Sequence, residues 1–300
     1  MKKILVIGST VVDVIVNLVN HLPKTGEDVH IKSQHMSLGG CAYNVSDSIR
    51  HFGVPYILFS PVGKGTYGNF VREELKKRGI TSPIPTPDRE NGCCYCFVED
   101  TGERTFMSYH GAEYLFQKEW FDLVPLNEID TVYICGLEIE ETTGEHVVEF
   151  LEKNRNLNLF FAPGPRLNRI RPELLERLYG LHPILHLNET EALTASSTSS
   201  TAEAAHWLFS KTGNSVLITL GDRGCYFFDG NAEETIAPVP VVPVDTIGAG
   251  DSHIGAVMAC LKQGDSLSEA VQKANLVSSR VVGTSGALLP DEAFEKLGLV

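Results

Sequence analysis

The sequence predicts an α/β fold: a doubly wound, mainly parallel sheet with helices on both faces, plus a small antiparallel β lid. Two observations carry this prediction. Beyond residue 131, short apolar runs alternate with segments of helical periodicity, which is the pattern of repeated strand–helix units. The segments 11–37 and 92–109 are rich in strand-forming residues and fit that alternation poorly, so they predict a separate lid. We therefore expect one domain over residues 1–300, with the lid inserted in it.

The individual elements follow from local signals. The apolar, β-branched run 4–19 predicts two successive strands. Gly53 and Gly79 mark the ends of two helices, and Pro172 marks the start of another. The acidic and glycine residues at 99–103 predict a hairpin turn, and the Ser/Thr-rich stretch 194–201 predicts a polar loop. The other predicted strands are 30–37, 56–60, 92–98, 104–109, 131–135, 157–161, 184–187, 215–220, 225–229 and 233–238; the predicted helices are 42–52, 67–78, 142–154, 172–179, 202–212, 249–262 and 267–282.

Charge and cysteine content exclude several classes of function. The formal net charge of −13 repels phosphate backbones and anionic lipids, so we expect no nucleic-acid and no membrane partner. No apolar stretch reaches the ~20 residues of a membrane-spanning helix. The seven cysteines have no paired framework, which indicates a reducing compartment and a cytoplasmic protein. Cys93, Cys94 and Cys96 have no second ligand pair nearby, so they are read as small strand residues rather than a metal site.

The most specific motif is the segment 245–251, with the sequence DTIGAGD. Its small residues Gly248, Ala249 and Gly250 stand where a loop enters a helix, and bare N–H groups there can bind an anion such as phosphate. Asp251 would compete with that anion unless it takes part in chemistry. A glycine-rich turn with a dipole-matching Asp is the plainer interpretation. Asp245 and Thr246 upstream and the apolar helix downstream favour the functional one.

Further polar positions follow strands or open helices. Gly39 and Gly40 allow close approach of a ligand, and Asn44 lies one turn into the next helix; an ordinary loop-to-helix entry has the same pattern. Asp13 interrupts an apolar run, so it must be paired or face a cavity.

Two strand ends add candidate nucleotide contacts. Asn188 and Glu191, one helical turn apart after a strand, suit a hydrated Mg²⁺ or, equally, a helix N-cap. Thr219 and Gly221 end another strand at the same expected edge of the sheet.

One glycine motif points elsewhere. Residues 63–68 match G-x-G-x-x-G, the dinucleotide-binding fingerprint, but the acidic residue expected about 20 positions on is missing. The chain also contains no G-x-x-x-x-G-K-[ST] motif, which excludes a Walker-type nucleotide site.

Together these residues resemble the ribokinase family of carbohydrate kinases, also called the phosphofructokinase-B type. The resemblance covers nearly the whole chain. Its most specific part is DTIGAGD, supported in the family's order by GGCAYN at 39–44, LNETEA at 187–192 and LITLGDRG at 217–224. It implies a ribokinase-like fold and an enzyme that uses ATP with Mg²⁺.

The resemblance also implies roles for individual residues. Asp251 matches the family's catalytic base, and Gly248, Ala249 and Gly250 match the family's anion hole. The substrate's hydroxyls would be held by Asp13, Gly39, Gly40, Asn44 and Glu138. The nucleotide would be bound by Asn188, Thr219, Gly221 and Asn275, with Glu191 holding Mg²⁺ through water. A monovalent cation such as K⁺ would be bound by Asp245, Ile247, Val281, Thr284 and Gly286.

We expect an ATP-dependent kinase that phosphorylates the hydroxymethyl group of a small sugar. His253, where an aromatic residue is common in the family, and Ala162, which replaces an Asp or Asn, leave the individual substrate open. The main alternative is a nucleoside kinase, with Tyr43, Tyr95 and Phe106 as a shelf for the base. A non-catalytic sugar or nucleotide sensor is a second alternative, and a dehydrogenase is a third. The exposed face of the lid would suit a homodimer.

Overall fold

The chain forms twelve strands and ten α-helices over residues 1–101 and 103–300, the part that this computed structural model describes. The strands are β1 (Lys3–Ile7), β2 (Val11–Leu18), β3 (Ile31–Gly39), β4 (Tyr56–Phe59), β5 (Cys93–Val98), β6 (Arg104–Tyr109), β7 (Ile129–Cys135), β8 (Asn158–Ala162), β9 (Ile184–Asn188), β10 (Val216–Thr219), β11 (Cys225–Phe228) and β12 (Glu233–Ile236). The helices are α1 (Cys41–His51), α2 (Gly65–Lys77), α3 (Gly136–Glu140), α4 (Gly144–Lys153), α5 (Pro172–Tyr179), α6 (Glu189–Ser196), α7 (Thr201–Thr212), α8 (Ala249–Gln263), α9 (Leu267–Val282) and α10 (Asp291–Glu295).

The main sheet has eight strands in the order β12-β11-β10-β9-β8-β7-β1-β4. The six strands from β10 to β4 are parallel, whereas β11 and β12 pair antiparallel at one edge. The order reverses on either side of β1, which is the topology of a doubly wound sheet. The predicted fold class is therefore confirmed, and the ends of β9 and β10 lie side by side.

Helices cover both faces of this sheet. Ile4 and Val6 of β1 pack into a core with α1, α8 and α9, whereas Leu5 and Ile7 pack into a second core with α4, α5 and α7. Successive strand residues point to opposite faces, so a strand buried on both sides is apolar throughout. This explains why the strands are nearly continuous apolar runs in the sequence.

A separate four-stranded sheet has the order β3-β2-β5-β6 and forms the predicted lid. Its outer pairs are antiparallel, but the central pair β2–β5 is parallel, which the sequence did not predict. Both central strands start beside the main sheet, where the Asn91 side chain donates to the Thr10 carbonyl at 3.3 Å, and both run outward from there. The predicted turn at 99–103 includes Gly102, which lies outside the described residues.

Some helices differ from the predicted ones. α3 was not predicted; Cys135 caps it by accepting the Leu137 N–H at 3.5 Å. The stretch predicted as a loop from residue 194 is helical up to Ser196, whose hydroxyl donates to the Ala192 carbonyl at 2.8 Å. Serine and threonine can satisfy their hydroxyls within a helix in this way, so their enrichment alone does not end one.

The glycines of the 63–68 motif are explained by packing. A Cβ on Gly68 would lie 1.9 Å from the Gly63 carbonyl oxygen, and one on Gly63 would lie 2.6 Å from the Arg89 carbonyl oxygen. These glycines therefore allow backbone segments to pack closely against each other. All seven cysteines are free thiols. Over the described residues, no helix combines the length and the apolar character needed to cross a bilayer.

Candidate active site

The first turn of α8 is shaped by Gly248. This residue caps the helix in the left-handed conformation, with φ +75°, and a Cβ there would lie 2.3 Å from the Ala287 carbonyl oxygen. Only glycine tolerates both constraints. The following residues, Ala249 and Gly250, present their amides at the positive end of a fifteen-residue helix. Anions bind in general at helix N-termini of this geometry, so the predicted anion hole stays a prediction.

Two cavities meet at this turn. One, of about 550 Å³, is lined by Ala249 and Gly250, and the other, of about 350 Å³, is lined by Asp251. The predicted site residues that line the smaller cavity are Asp13, Gly40, Asn44, Asp245, Ile247, Asp251 and Gly286. Those that line the larger cavity are Thr219, Gly221, Ala249, Gly250 and Asn275. Neighbouring residues of one helical turn thus serve two different compartments.

Asp251 has the electrostatics of a general base. Burial raises the pKa of its carboxyl to about 6, and hydrogen bonds from Asn44 and Cys41 act against that rise. The Asn44 side-chain amide donates to Asp251 Oδ2 at 2.9 Å. A carboxylate with a pKa near 6 is ionised at neutral pH and is more basic than an ordinary aspartate.

Asp13 is a second acid in the smaller cavity. Burial first, and the charge of Asp251 second, raise the pKa of Asp13 to about 7. Its carboxylate lies over Gly39, where a Cβ would be 2.0 Å from Asp13 Oδ2. Gly40 has φ +98°, and a Cβ added to it would lie 2.5 Å from the Ser9 carbonyl oxygen. Gly39 is therefore required so that the end of β3 can lie against the Asp13 side chain, and Gly40 so that the start of α1 can approach the loop after β1.

Asn44 offers an open acceptor to a ligand. Its Oδ1 is buried and has no hydrogen-bond partner among the described residues, although its Nδ2 is bonded to Asp251. A buried unpaired acceptor is costly unless something satisfies it. A hydroxyl group in the cavity would donate to this oxygen, so the residue fits a polyol.

Glu138 lies behind the smaller cavity and is not in its wall. It is buried in α3, and its Oε1 accepts the Ser9 N–H at 2.8 Å, which fixes the loop after β1. Burial raises the pKa of Glu138 to about 7, and its Oε2 is without a partner among the residues described. Its predicted contact with a substrate stays a prediction.

A buried chain of hydrogen bonds forms one wall of the larger cavity. The Asn275 amide donates to the Ile236 and Ala237 carbonyls at 3.2 and 3.0 Å, so its oxygen faces His253 Nε2 at 3.1 Å. His253 Nδ1 therefore accepts from His186 Nε2 at 3.0 Å. Burial lowers the pKa of His253 to about 4 and that of His186 as well, so both rings are neutral. The Asn275 amide is thus already engaged, and its predicted contact with adenine stays a prediction.

Asn188 and Glu191 form the capping box of α6. Asn188 Oδ1 accepts the Glu191 N–H at 2.9 Å, and the Glu191 carboxylate accepts the Asn188 N–H at 3.0 Å. Both line a third, smaller cavity of about 180 Å³, next to β10, where Asn188 pairs with Thr219. The helix-cap interpretation is therefore correct. The oxygen donors also fit a hydrated Mg²⁺ at this edge of the sheet.

Among the residues of the smaller cavity that sequence reasoning missed are Cys41 and Arg104, which contact the carboxylates of Asp251 and Asp245. Cys41 follows a glycine pair, and nothing in this local sequence indicates that its thiol contacts Asp251. Arg104 forms an ion pair with Asp245, which lies 141 positions away in the chain. Only the folded lid brings these two residues together.

The chain is similar to known proteins over nearly its full length. The family model described as "pfkB family carbohydrate kinase" matches residues 1–293. The uncharacterized sugar kinase YegV of Escherichia coli K12 is 34% identical over 290 residues, covering 95% of this chain and 90% of that protein. The ribokinase of Mus musculus is 29% identical over 298 residues, covering 94% and 90%.

A ribokinase is also among the solved structures that have a similar fold. The crystal structure of a ribokinase from Thermotoga maritima has a TM-score of 0.85 at 23% identity and covers 99% of each chain. The predicted resemblance is therefore confirmed: this chain belongs to the pfkB family of carbohydrate kinases.

Proposed function

We propose that this protein transfers the γ-phosphoryl group of ATP to the hydroxymethyl group of a small sugar, with Asp251 as the general base. The observation that carries the proposal is the single turn of α8 shared by two cavities. Its amides border the larger compartment, which suits a nucleotide, and its carboxylate borders the smaller one, which suits a sugar. Kinases of the ribokinase family use ATP with Mg²⁺.

The proposed mechanism uses both sides of the turn. The Asp251 carboxylate takes the proton of the sugar hydroxyl as the hydroxyl oxygen attacks the γ-phosphorus of ATP. The bond from this phosphorus to the oxygen that bridges it to the β-phosphate breaks, and ADP leaves. The amides of Ala249 and Gly250, with the helix dipole, stabilise the charge on the transferred group. Mg²⁺, held through water by Asn188 and Glu191, would neutralise phosphate charge when bound. Asn44 keeps the Asp251 carboxylate oriented and presents Oδ1 to another sugar hydroxyl.

The lid is proposed to cover the acceptor. Asp13 of β2 and Phe106 of β6 belong to lid strands and line the smaller cavity, so the segments 11–37 and 92–109 form its roof. A closed roof keeps water away from the γ-phosphoryl group, which would otherwise be hydrolysed.

The aromatic residues favour a sugar over a nucleoside. Of the three suggested for a base shelf, Phe106 lines the smaller cavity. Tyr43 is fully buried in the core, and the Tyr95 hydroxyl is bonded to that of Tyr67 at 2.9 Å. Of the three aromatic residues, Phe106 is therefore the one on which a nucleobase could stack. A furanose instead needs polar groups, and Asp13, Asn44 and Asp251 supply them.

An ATP-consumption screen tests the proposal. The panel is ribose, fructose, fructose phosphates, ketodeoxygluconate, adenosine and pseudouridine, and Asp251→Asn is the matched inactive control. We expect ADP release with at least one sugar and none with the variant. Activity with nucleosides alone would favour the alternative enzyme. Ligand-induced thermal shifts without any ADP release across the panel would favour a sensor and overturn the kinase proposal.

The Asn44–Asp251 hydrogen bond predicts a shift in the pH profile. The wild-type kcat/KM should rise through pH 6 to 7, because Asp251 and Asp13 act as carboxylates and their pKa values are about 6 and about 7. Asn44→Ala removes the donor that lowers the pKa of Asp251, so the acid limb should move to higher pH. Its kcat/KM should also fall by ~10-fold or more. Asn69→Ala, on the surface of α2, is the control, and an unmoved acid limb in Asn44→Ala would contradict this role.

We also propose that a second copy of the chain packs on the lid. The lid strands expose large apolar side chains that do not line the smaller cavity, each more than 40% exposed: Ile31, Met36, Met107 and Tyr109. Apolar residues clustered in this way indicate an interface. Sedimentation analysis should give a dimer for the wild type and a monomer for Met107→Glu; a wild-type monomer at high concentration would exclude the interface.

A further inference from the structure

An ion pair joins the lid to the loop that precedes α8. Arg104 is the first residue of β6, and its guanidinium is bonded to Oδ1 of Asp245. The carboxylate side chain is only 4% exposed and that of Arg104 21%, so the pair is largely withdrawn from water. Both residues line the smaller cavity. An ion pair thus connects the lid sheet to the loop before α8.

Asp245 is the point where three segments are tied together. Its Oδ1 also accepts the Ile247 N–H at 2.9 Å, and its Oδ2 accepts the Gly286 N–H at 2.8 Å. Ile247 precedes the Gly248 cap, and Gly286 precedes Ala287, the residue that Gly248 packs against. The Asp245 carboxylate therefore holds both the residue before the Gly248 cap and the segment that Gly248 packs against.

The residues predicted to bind a monovalent cation do not fit one here. Both Asp245 oxygens are already bonded, and one of them to a permanent positive charge. The Val281 carbonyl accepts both the N–H and the hydroxyl of Thr284, at 3.0 and 2.8 Å. A K⁺ ion at Asp245 would be repelled by the guanidinium that is already bonded to the same carboxylate. The positive charge at this position is thus supplied by the protein itself.

We propose that Arg104 is a positioning residue whose guanidinium takes the place of a monovalent cation at Asp245. Strand β6 of the lid thereby supplies the charge that orders the loop before α8, so the phosphoryl-transfer turn is complete only when this strand is in place. The protein should need no K⁺. The effect on catalysis rests on the proposed kinase function, whereas the effect on loop order does not.

The physical basis is the cost of an unpaired buried charge. Removing one partner of a withdrawn ion pair leaves the other uncompensated, and this is strongly destabilising. Arg104→Gln would leave the buried Asp245 carboxylate without a positively charged partner. It would also leave space beside the carboxylate where the guanidinium was. A small cation can then enter, so the variant should acquire the salt dependence that the wild type lacks.

Hydrogen exchange on the ligand-free protein tests this directly. The variants are Arg104→Gln, the charge-retaining Arg104→Lys, and Lys32→Gln, which removes an exposed lid charge paired with Asp100 at 3.9 Å. Each is measured in KCl and in tetramethylammonium chloride at equal concentration. We expect equal exchange of the Ile247 and Gly286 amides in both salts for the wild type and Lys32→Gln. In Arg104→Gln these amides should exchange ~10-fold faster in tetramethylammonium and regain protection in KCl.

Two results would overturn the proposal. One is a wild type whose Ile247 and Gly286 amides are protected by K⁺ but not by tetramethylammonium. The other is Arg104→Gln with wild-type exchange in both salts. Arg104→Lys keeps a positive charge and should stay close to the wild type, which separates loss of charge from general unfolding.

The same variants are then assayed with the sugar found in the screen. We expect the kcat of Arg104→Gln to fall ~10-fold or more in tetramethylammonium and to recover in KCl, with the KM for ATP nearly unchanged. If no sugar is phosphorylated by the wild type, the proposed function fails, but the exchange result still decides the role of Arg104.

Discussion

Asp251→Asn is expected to lower kcat by ~10²-fold or more while the affinities for ATP and sugar change only a few-fold. Asparagine keeps the shape of the side chain and can still accept the hydrogen bond that Asn44 donates at 2.9 Å. It cannot take the hydroxyl proton. A loss confined to kcat is the pattern of a group that acts in the transition state, and it corresponds to about 2.7 kcal/mol of barrier or more.

The same substitution should stabilise the folded protein. Burial raises the pKa of Asp251 from 3.8 to about 6, so the native state binds this proton more tightly than the unfolded chain does. The native state therefore loses relative stability as the pH rises through 6, and Asp251→Asn escapes this loss. The Tm difference between variant and wild type should be small near pH 4 and should grow up to pH 7.

The control for Asp251→Asn is Asp265→Asn, just beyond the other end of α8, where the carboxylate binds Lys273 at 2.6 Å on the surface. It should have normal kcat. A near-normal kcat in Asp251→Asn would mean that the carboxylate only matches the helix dipole, and it would refute the proposed mechanism.

Gly248→Ala is expected to reduce kcat by ~10²- to 10³-fold, the range found when a donor to a developing oxyanion is lost. The methyl group would lie 2.3 Å from the Ala287 carbonyl oxygen, and φ is +75°. The backbone must shift, and the Ala249 and Gly250 amides shift with it. The proposed mechanism requires these amides to be aligned with the γ-phosphoryl group, so a displacement of well under an ångström should lower kcat.

Gly264→Ala is the matched control for this change. Gly264 caps the other end of α8 with φ +101°, and an added Cβ there meets nothing within 4 Å. Both variants carry backbone strain, so both should lose some Tm, but only Gly248→Ala should lose kcat. Equal kcat values would show that the position of this turn does not limit phosphoryl transfer.

The sequence by itself determined the fold class and the centre of the site. Alternating apolar strands and amphipathic helices predict a doubly wound sheet, because each strand must bury both faces. The segment 245–251 predicts the turn that joins the two cavities, because its glycines and Asp251 act within one local stretch of chain. Gly40 and Asn44, which line the smaller cavity, could also be singled out because they lie close together in the sequence.

Only the tertiary structure decided the contacts between distant segments. The ion pair of Arg104 with Asp245, the parallel pairing of β2 with β5, and the hydrogen bonds that engage Asn275 each join residues far apart in the chain. Periodicity and capping record a residue's neighbours within a few positions, whereas charge pairing depends on distances that the folded lid creates. For this reason the sequence could suggest a cation site at Asp245, but it could not reveal the arginine that pairs with this carboxylate.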